Sequence, residues 1–182
     1  DAEQIQALNK TTVADLLKTL PGLLVEEQGG PGGLTAVSIR GGESNFTLVL
    51  VDGVAVNDPT NFRGGSFDFA NLNPSMVDRI EVVRGAQSAI YGSDALAGVI
   101  NIITASPTFT PSVRGEATFG NYGQKGGSIS VNGPLIEDTL AGRLYVAARQ
   151  RDGFYDVLTG AGPRTQKDDN NQDFVTARGQ LL

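Results

Sequence analysis

The chain has 182 residues, of which 24 are glycine, 8 are proline and 40% are hydrophobic. With no cysteine and no histidine, cysteine nucleophiles, histidine-based triads and Cys/His zinc sites are excluded. The net charge of −6 sits in residues 1–106, with six basic and twelve acidic side chains, while residues 107–182 balance at eight of each, so neither part has the basic surplus of a nucleic-acid binder.

No apolar run reaches the length of about 18 residues that a transmembrane helix needs, and no charged n-region followed by an apolar h-region opens the chain. It starts without Met and ends in what reads as a strand, so the expectation is a piece of a longer protein.

In chain order, residues 3–8 read as a short helix. Val13, Leu16, Leu17 and Leu20 share one helical face, which predicts a second helix over 12–20, capped by Thr11 or Thr12 and stopped by Pro21-Gly22. Residues 23–26 read as a strand, 29–33 (GGPGG) as a turn and 37–40 as a second strand. The β-branched run 47–51 followed by Asp52-Gly53 is a hairpin signal, with 54–56 returning. The polar stretch 57–68 predicts a long exposed loop. Asn73-Pro74 has the form of an N-cap with proline at the first helical position. Residues 79–84 and 99–103 complete the strands, with one helical turn over 86–91. The sum is a small α+β domain over residues 1–106.

After Pro107 the grammar changes to longer two-residue alternation. Val113, Ala117 and Phe119 oppose Arg114, Glu116 and Thr118. Leu140, Gly142, Leu144, Val146 and Ala148 oppose Ala141, Arg143, Tyr145, Ala147 and Arg149, and Val175, Ala177 and Leu181 oppose Thr176, Arg178 and Gln180. Residues 125–133 make a weaker segment. Such alternation fits a barrel wall between lipid and a polar lumen, and equally a soluble antiparallel sheet with one solvated face. Connection lengths shift the balance toward the barrel: a short turn at 133–138 and a long polar loop over 152–173 match the pattern of short turns at one end and long loops at the other.

Five segments follow one another in the first part: VSIRG (37–41), LVLVDG (48–53), IEVVRG (80–85), SAIYG (88–92) and GVINIIT (98–104). In this order and spacing, from about residue 12 to residue 104, they resemble the plug domain of TonB-dependent outer-membrane receptors. Residues 107–182 resemble the first strands of the same family's barrel, which has 22 strands around a plugged lumen. Within the family, GGPGGLTAVSIRG, RIEVVRG and SAIYGSDALAGVINIIT look closest to vitamin B12 (cobalamin) receptors.

The resemblance implies TonB-dependent import of a scarce substrate, of the cobalamin or iron-siderophore class, across the bacterial outer membrane. The plug would gate the barrel. TonB, with its inner-membrane energising complex, would act through a contact segment upstream of Asp1. Arg40 and Arg84 match family arginines that bridge plug to barrel wall, a role that suits a guanidinium fork paired with carboxylates. By the same resemblance two plug loops face the substrate, with Gly30, Gly32, Gly33, Leu34 and Thr35 in one and Asn57, Asn61, Phe62 and Arg63 in the other. The acidic loop that follows Arg151 resembles a calcium-binding loop of the B12 receptors, and Asp156, Asp168, Asp169 and Asp173 would supply hard oxygen ligands. An enzyme is not expected, since Ser38 and Ser88 have no histidine to activate them. The alternative from another class is a soluble secreted β-rich binding or signalling module that reuses a plug-like domain.

Overall fold

Local capping sets the first two helices of the structure, a computed structural model that describes residues 1–29, 33–60, 65–70, 72–92, 94–156, 168–169 and 171–182. Helix α1 (Ala2–Leu8) opens with a capping box between Asp1 and Gln4. Helix α2 (Val13–Leu17) is capped by the Thr12 hydroxyl, which accepts from the Asp15 N–H, and it buries Val13, Ala14, Leu16 and Leu17. It ends three residues short of the expected Leu20. The N–H groups of Thr19 and Leu20 bond the carbonyls of Leu16 and Leu17, three residues back, so the last turn tightens toward a 3₁₀ form before Pro21.

The chain divides into two units, Asp1–Ala105 and Ser106–Leu182. In the first, β1 (Leu23–Glu27) and β2 (Thr35–Ile39) form an antiparallel hairpin with Leu23 opposite Ile39 and Glu27 opposite Thr35. Every residue of β2 is buried. A four-stranded sheet has the order β4 (Val54–Ala55), β3 (Thr47–Val51), β6 (Gly98–Thr104), β5 (Val77–Arg84), with β3 and β6 parallel and the other pairs antiparallel. Asp52 and Gly53 both take left-handed φ, 51° and 81°, the two-residue turn whose twist suits a hairpin. The Asp52 carboxylate then reaches β6, accepting from the Thr104 N–H and hydroxyl at 2.8 Å each. Phe69, Leu17, Ile39, Val49, Ile100 and Ile102 are among the most deeply buried side chains. Each such burial contributes about 1.5–3 kcal/mol. Asn73 caps a one-turn 3₁₀ helix, Pro74–Met76, and α3 (Ser88–Tyr91) is one turn long.

The second unit is an antiparallel sheet with the order β12 (Gln172–Leu181), β9 (Leu140–Arg151), β8 (Lys125–Ile136), β7 (Ser112–Phe119). A separate two-residue ladder joins β10 (Tyr155–Asp156) to β11 (Asp168–Asp169). Strand β8 corrects the sequence reading: where a weak segment and a turn from 133 are expected, 12 residues run as one strand. Gly126, Gly127 and Gly133 blank its alternation. Pro134 is tolerated because β7 pairs with β8 only as far as Asn132, so Pro134 lies where β8 has one neighbour and no donor is needed on the other side. At about 3.4 Å per residue, a 12-residue strand is about 37 Å long. Tilted by about 40°, it rises about 29 Å, the thickness of a hydrocarbon core.

Burial in this sheet runs opposite to that in the first unit. Along β9, Ala141, Tyr145, Ala147, Arg149 and Arg151 are buried, whereas Leu144 is 55% exposed. Ile129, Val131, Val113 and Val175 are exposed on the same face as Leu144. A sheet that buries arginine and displays valine and leucine is built for an apolar solvent outside and a polar interior.

Candidate functional site

The two loops expected to face a substrate rest on a shared hydrogen-bonded base. Asn57 accepts from the Val49 N–H at 2.7 Å and donates to the carbonyls of Thr47 at 3.1 Å and Gly65 at 2.7 Å. Its amide is thereby committed to closing the second loop onto β3, which corrects its expected role as a substrate contact. Asp58 accepts from the N–H and hydroxyl of Thr60, 2.8 and 2.7 Å away, a local turn that holds its carboxyl below the ordinary carboxylate value. Asp68 binds both loops: one carboxylate oxygen accepts from the N–H groups of Thr35 and Ala70, and the Phe69 N–H donates to the Thr35 carbonyl.

Thr35 is 1% exposed, with its hydroxyl donating to the Gly33 carbonyl, so it supports the first loop from inside the fold and presents nothing to a ligand. Gly33 and Leu34 are half-buried. The candidates Gly30, Gly32, Asn61, Phe62 and Arg63 lie outside the described residues. The stretch 65–68 is also not the exposed loop expected, since Ser66 is buried and Gly65, Phe67 and Asp68 are half-buried, with Phe67 stacked edge-on against Phe69 at 4.9 Å.

Arg40 and Arg84 converge on the Pro21-Gly22 turn. Arg40 lies one residue beyond β2, at φ 52°, and its N–H donates to the Gly22 carbonyl at 2.9 Å. Arg84 is the last residue of β5, and its Nε lies 3.8 Å from where a β-carbon on Gly22 would stand. Gly22 itself has φ 79°, so the turn is what calls for glycine; the guanidinium leaves room for a β-carbon at ordinary contact distance. Both arginine side chains are exposed, and neither has a hydrogen-bond or ion-pair partner among the described residues. The sequence marks the arginines but not Gly22, because a Pro-Gly pair reads as an ordinary helix stop.

A cavity of about 430 Å³ lies beside β1 and β2, with Glu26, Ser38, Gly42, Glu43, Ser44 and Asn45 in its lining. Among the four aspartates expected to hold calcium, Asp156 and Asp168 are direct partners across the β10–β11 ladder, and Asp169 stands opposite Tyr155. Asp173 is opposite Gln150, on the face of β12 that carries Val175, apart from the polar face. Among the described residues no three carboxylates are grouped for a metal.

Residues 1–99 match the TonB-dependent receptor plug domain family. The chain is 38% identical over 151 residues to the vitamin B12 transporter BtuB of Vibrio vulnificus, covering 83% of this chain and 24% of that protein. Among solved structures, a double-mutant form of the ferric enterobactin receptor PfeA of Pseudomonas aeruginosa aligns with a TM-score of 0.69 at 28% identity. The siderophore receptor PirA of Acinetobacter baumannii aligns with 0.63 at 27%. Each alignment covers 85% of this chain and 24% of the solved one, so the chain spans about a quarter of the relatives it matches. A plug domain followed by the first antiparallel strands of a partial barrel accounts for both units, and the chain belongs to the TonB-dependent receptor plug-domain family of the bacterial outer membrane and not to an enzyme family.

Proposed function

We propose that the protein imports a small molecule of the cobalamin or iron-siderophore class across the outer membrane, with its plug unit gating the barrel lumen. The observation that carries this reading is the plug-family match over residues 1–99 running directly into strands whose apolar side chains are exposed. TonB and its inner-membrane energising complex are the partner that moves the plug. Arg40 and Arg84 reach carboxylates of the barrel wall. Such charge-assisted pairs in a wet interior are strong enough to hold the plug and weak enough to reverse.

The loops around residues 29–35 and 56–67 contact the cargo through backbone amides and through Asn61, Phe62 and Arg63, on the base that Asn57 and Asp68 hold in place. Asp156 and Asp168 hold calcium, with Asp169 and Asp173 as further donors. The ion supplies local positive charge that draws the acidic loop together before cargo arrives. Protection of the loop after Arg151 from protease by calcium, reversed by a chelator, is the test of that part; equal cleavage with and without calcium would remove it.

The import reading is tested with the full-length receptor in cells lacking their own receptors for these cargoes, by uptake of labelled cobalamin and of labelled ferric siderophores with and without TonB. TonB-dependent accumulation of one of them is expected. Accumulation independent of TonB, or of neither cargo, overturns it.

A further inference from the structure

One asparagine of the second unit holds the segment that precedes its first strand. Asn132 lies in β8 on the face opposite Val131, and it is 6% exposed. Its Oδ1 accepts from the Thr108 N–H at 2.8 Å. Its Nδ2 donates to the Thr108 hydroxyl at 2.7 Å and to the Thr110 carbonyl at 2.9 Å. A side-chain amide has two N–H donors and one acceptor oxygen, so residues 108–110 engage every polar atom of this one. The segment is packed down as well: the Cα of Pro111 lies 3.4 Å from where a β-carbon on Gly133 would stand.

This segment belongs to the connection between the two units. In the first unit Thr104 is held by the Asp52 carboxylate, and the Ala105 N–H donates to the Met76 carbonyl at 3.1 Å. In the second unit the next fastening among the described residues is Thr108 on Asn132. Ser106 and Pro107 alone lie between. Proline fixes its own φ and keeps the residue before it extended, so the free part of the connection is both short and stiff.

We propose that Asn132 is a positioning residue for import, seating the plug-to-barrel connection on the wall so that the plug's tether has no slack. The inference rests on the import reading and adds a residue to it. Strand β7 begins at Ser112, so loss of the clasp frees residues 108–111 along with Ser106 and Pro107. At about 3.4 Å per extended residue, four more residues add about 14 Å of reach. A pull by TonB rearranges the plug only against a fixed point, and slack of that length absorbs displacement before the plug responds. The loops proposed to meet the cargo, around residues 29–35 and 56–67, are remote in sequence from the clasp. Its loss therefore lowers the rate of import and leaves cargo affinity in place.

The test uses the full-length receptor in cells lacking their own receptors for cobalamin and iron chelates. The probes are radiolabelled cyanocobalamin and iron(III) tricatecholate. Two variants are compared with wild type at equal surface abundance. Asn132→Ala opens the clasp; a Gly-Ser-Gly-Ser insertion between Ser106 and Pro107 adds the same four residues of slack and leaves Asn132 untouched. The wild type is expected to accumulate one of the probes. Both variants lower its maximal uptake rate about fivefold and keep the half-saturating concentration within about twofold. In the purified full-length receptor, amide exchange of the peptide over residues 106–111 speeds up in Asn132→Ala.

Unchanged exchange in Asn132→Ala overturns the clasp, and unchanged uptake in that variant overturns its role in import. A loss of uptake that the insertion does not reproduce overturns the tether, since it marks an asparagine that serves the sheet alone. A half-saturating concentration raised along with the loss overturns it too. If Asn132→Ala does not reach the surface, the insertion decides, and full uptake by the insertion variant overturns the tether. Accumulation of neither probe by the wild type overturns the import reading and this role with it, so the two failures are read from different strains.

Discussion

The two units of this chain solve the same problem with opposite faces. In residues 1–105 the strands hide valine and isoleucine, with Ile100 and Ile102 fully buried, and display charges such as Arg79 and Glu81, which pair with each other at 2.8 Å in solvent. In residues 106–182 the strands bury Tyr145 and Arg149 and leave Val175 71% exposed. Both patterns have a period of two, so alternation alone says only that a sheet has two unlike faces. Which face is buried says what solvent surrounds it.

The largest expected effect follows directly. The 182-residue chain in buffer without detergent should aggregate, because an exposed apolar face and unpaired edges on β7 and β12 have no lipid or neighbouring strand to cover them. Size-exclusion chromatography with light scattering checks this, and a monodisperse monomer would break the comparison at its root.

Next in size is Gly98→Ala in the plug unit. Gly98 has φ 150°, and a β-carbon there would collide with the Val83 carbonyl and lie 2.8 Å from Ile39 Cδ1. Backbone strain and overpacking together should cost about 4 kcal/mol or more. The readout is faster amide exchange through β6 in the full-length receptor, and exchange unchanged from wild type would show that the plug core is looser than the water-built reading requires.

A smaller effect separates the two faces of the barrel sheet at nearly the same depth. Ile129→Arg puts a charge on the exposed apolar face and should cost about 2–4 kcal/mol of stability in lipid. Thr176→Arg, on the polar face in the row of Glu116, should be close to neutral. Folding of the two full-length variants into liposomes, followed by the gel-mobility shift of folded barrels, compares them. Equal outcomes would mean that the faces do not meet different solvents.

What could be read in advance depended on the range of the interaction. The plug strands were legible because each ends in its own turn chemistry, such as Asp52-Gly53 or the glycine after Arg84. The polar and apolar faces of β9 were legible because alternation is local to one strand. Strand β8 was not, since its glycines carry no face and Pro134 signals a turn until the extent of its pairing with β7 is known. Asn57 and Thr35 were misassigned as ligand contacts for a related reason. An asparagine in a polar loop has the same composition whether it meets a ligand or fastens the loop. Only the positions of the Val49 N–H and the carbonyls of Thr47 and Gly65 distinguish the two. The placement of Arg114, Arg143, Arg149, Arg151 and Arg178 on one face of the second sheet was hidden by a neutral total, because strand register and not composition assigns side chains to faces. The convergence of Arg40 and Arg84 on Gly22 joins segments more than forty residues apart, which no local pattern reports.

The smallest effect belongs to the plug's solvent side, where Lys18 bridges Asp15 at 3.1 Å and Glu27 at 2.6 Å and so ties α2 to β1. Partial burial alone would raise the Asp15 carboxyl, but hydrogen bonds from Lys18 and Thr12 outweigh it and hold the group below its ordinary value of 3.8. Burial alone would lower Lys18, and the bonds to Glu27 and Asp15 outweigh it in turn, raising Lys18 above 10.5. A lowered carboxylate gives stability that is present above 3.8 and lost as pH falls through the depressed folded value. A raised ammonium gives stability that is full below 10.5 and lost as pH rises through the folded value. The contribution should therefore be flat across neutral pH and fade only at the two extremes. With these side chains 21–41% exposed, it amounts to less than about 1 kcal/mol. Lys18→Met, compared with wild type in urea unfolding of the plug signal, should differ slightly at pH 7 and converge near pH 2–3, once Asp15 is protonated. A difference that persists in acid would assign the effect to the packed lysine stem, and convergence already at pH 5 would contradict a depressed Asp15.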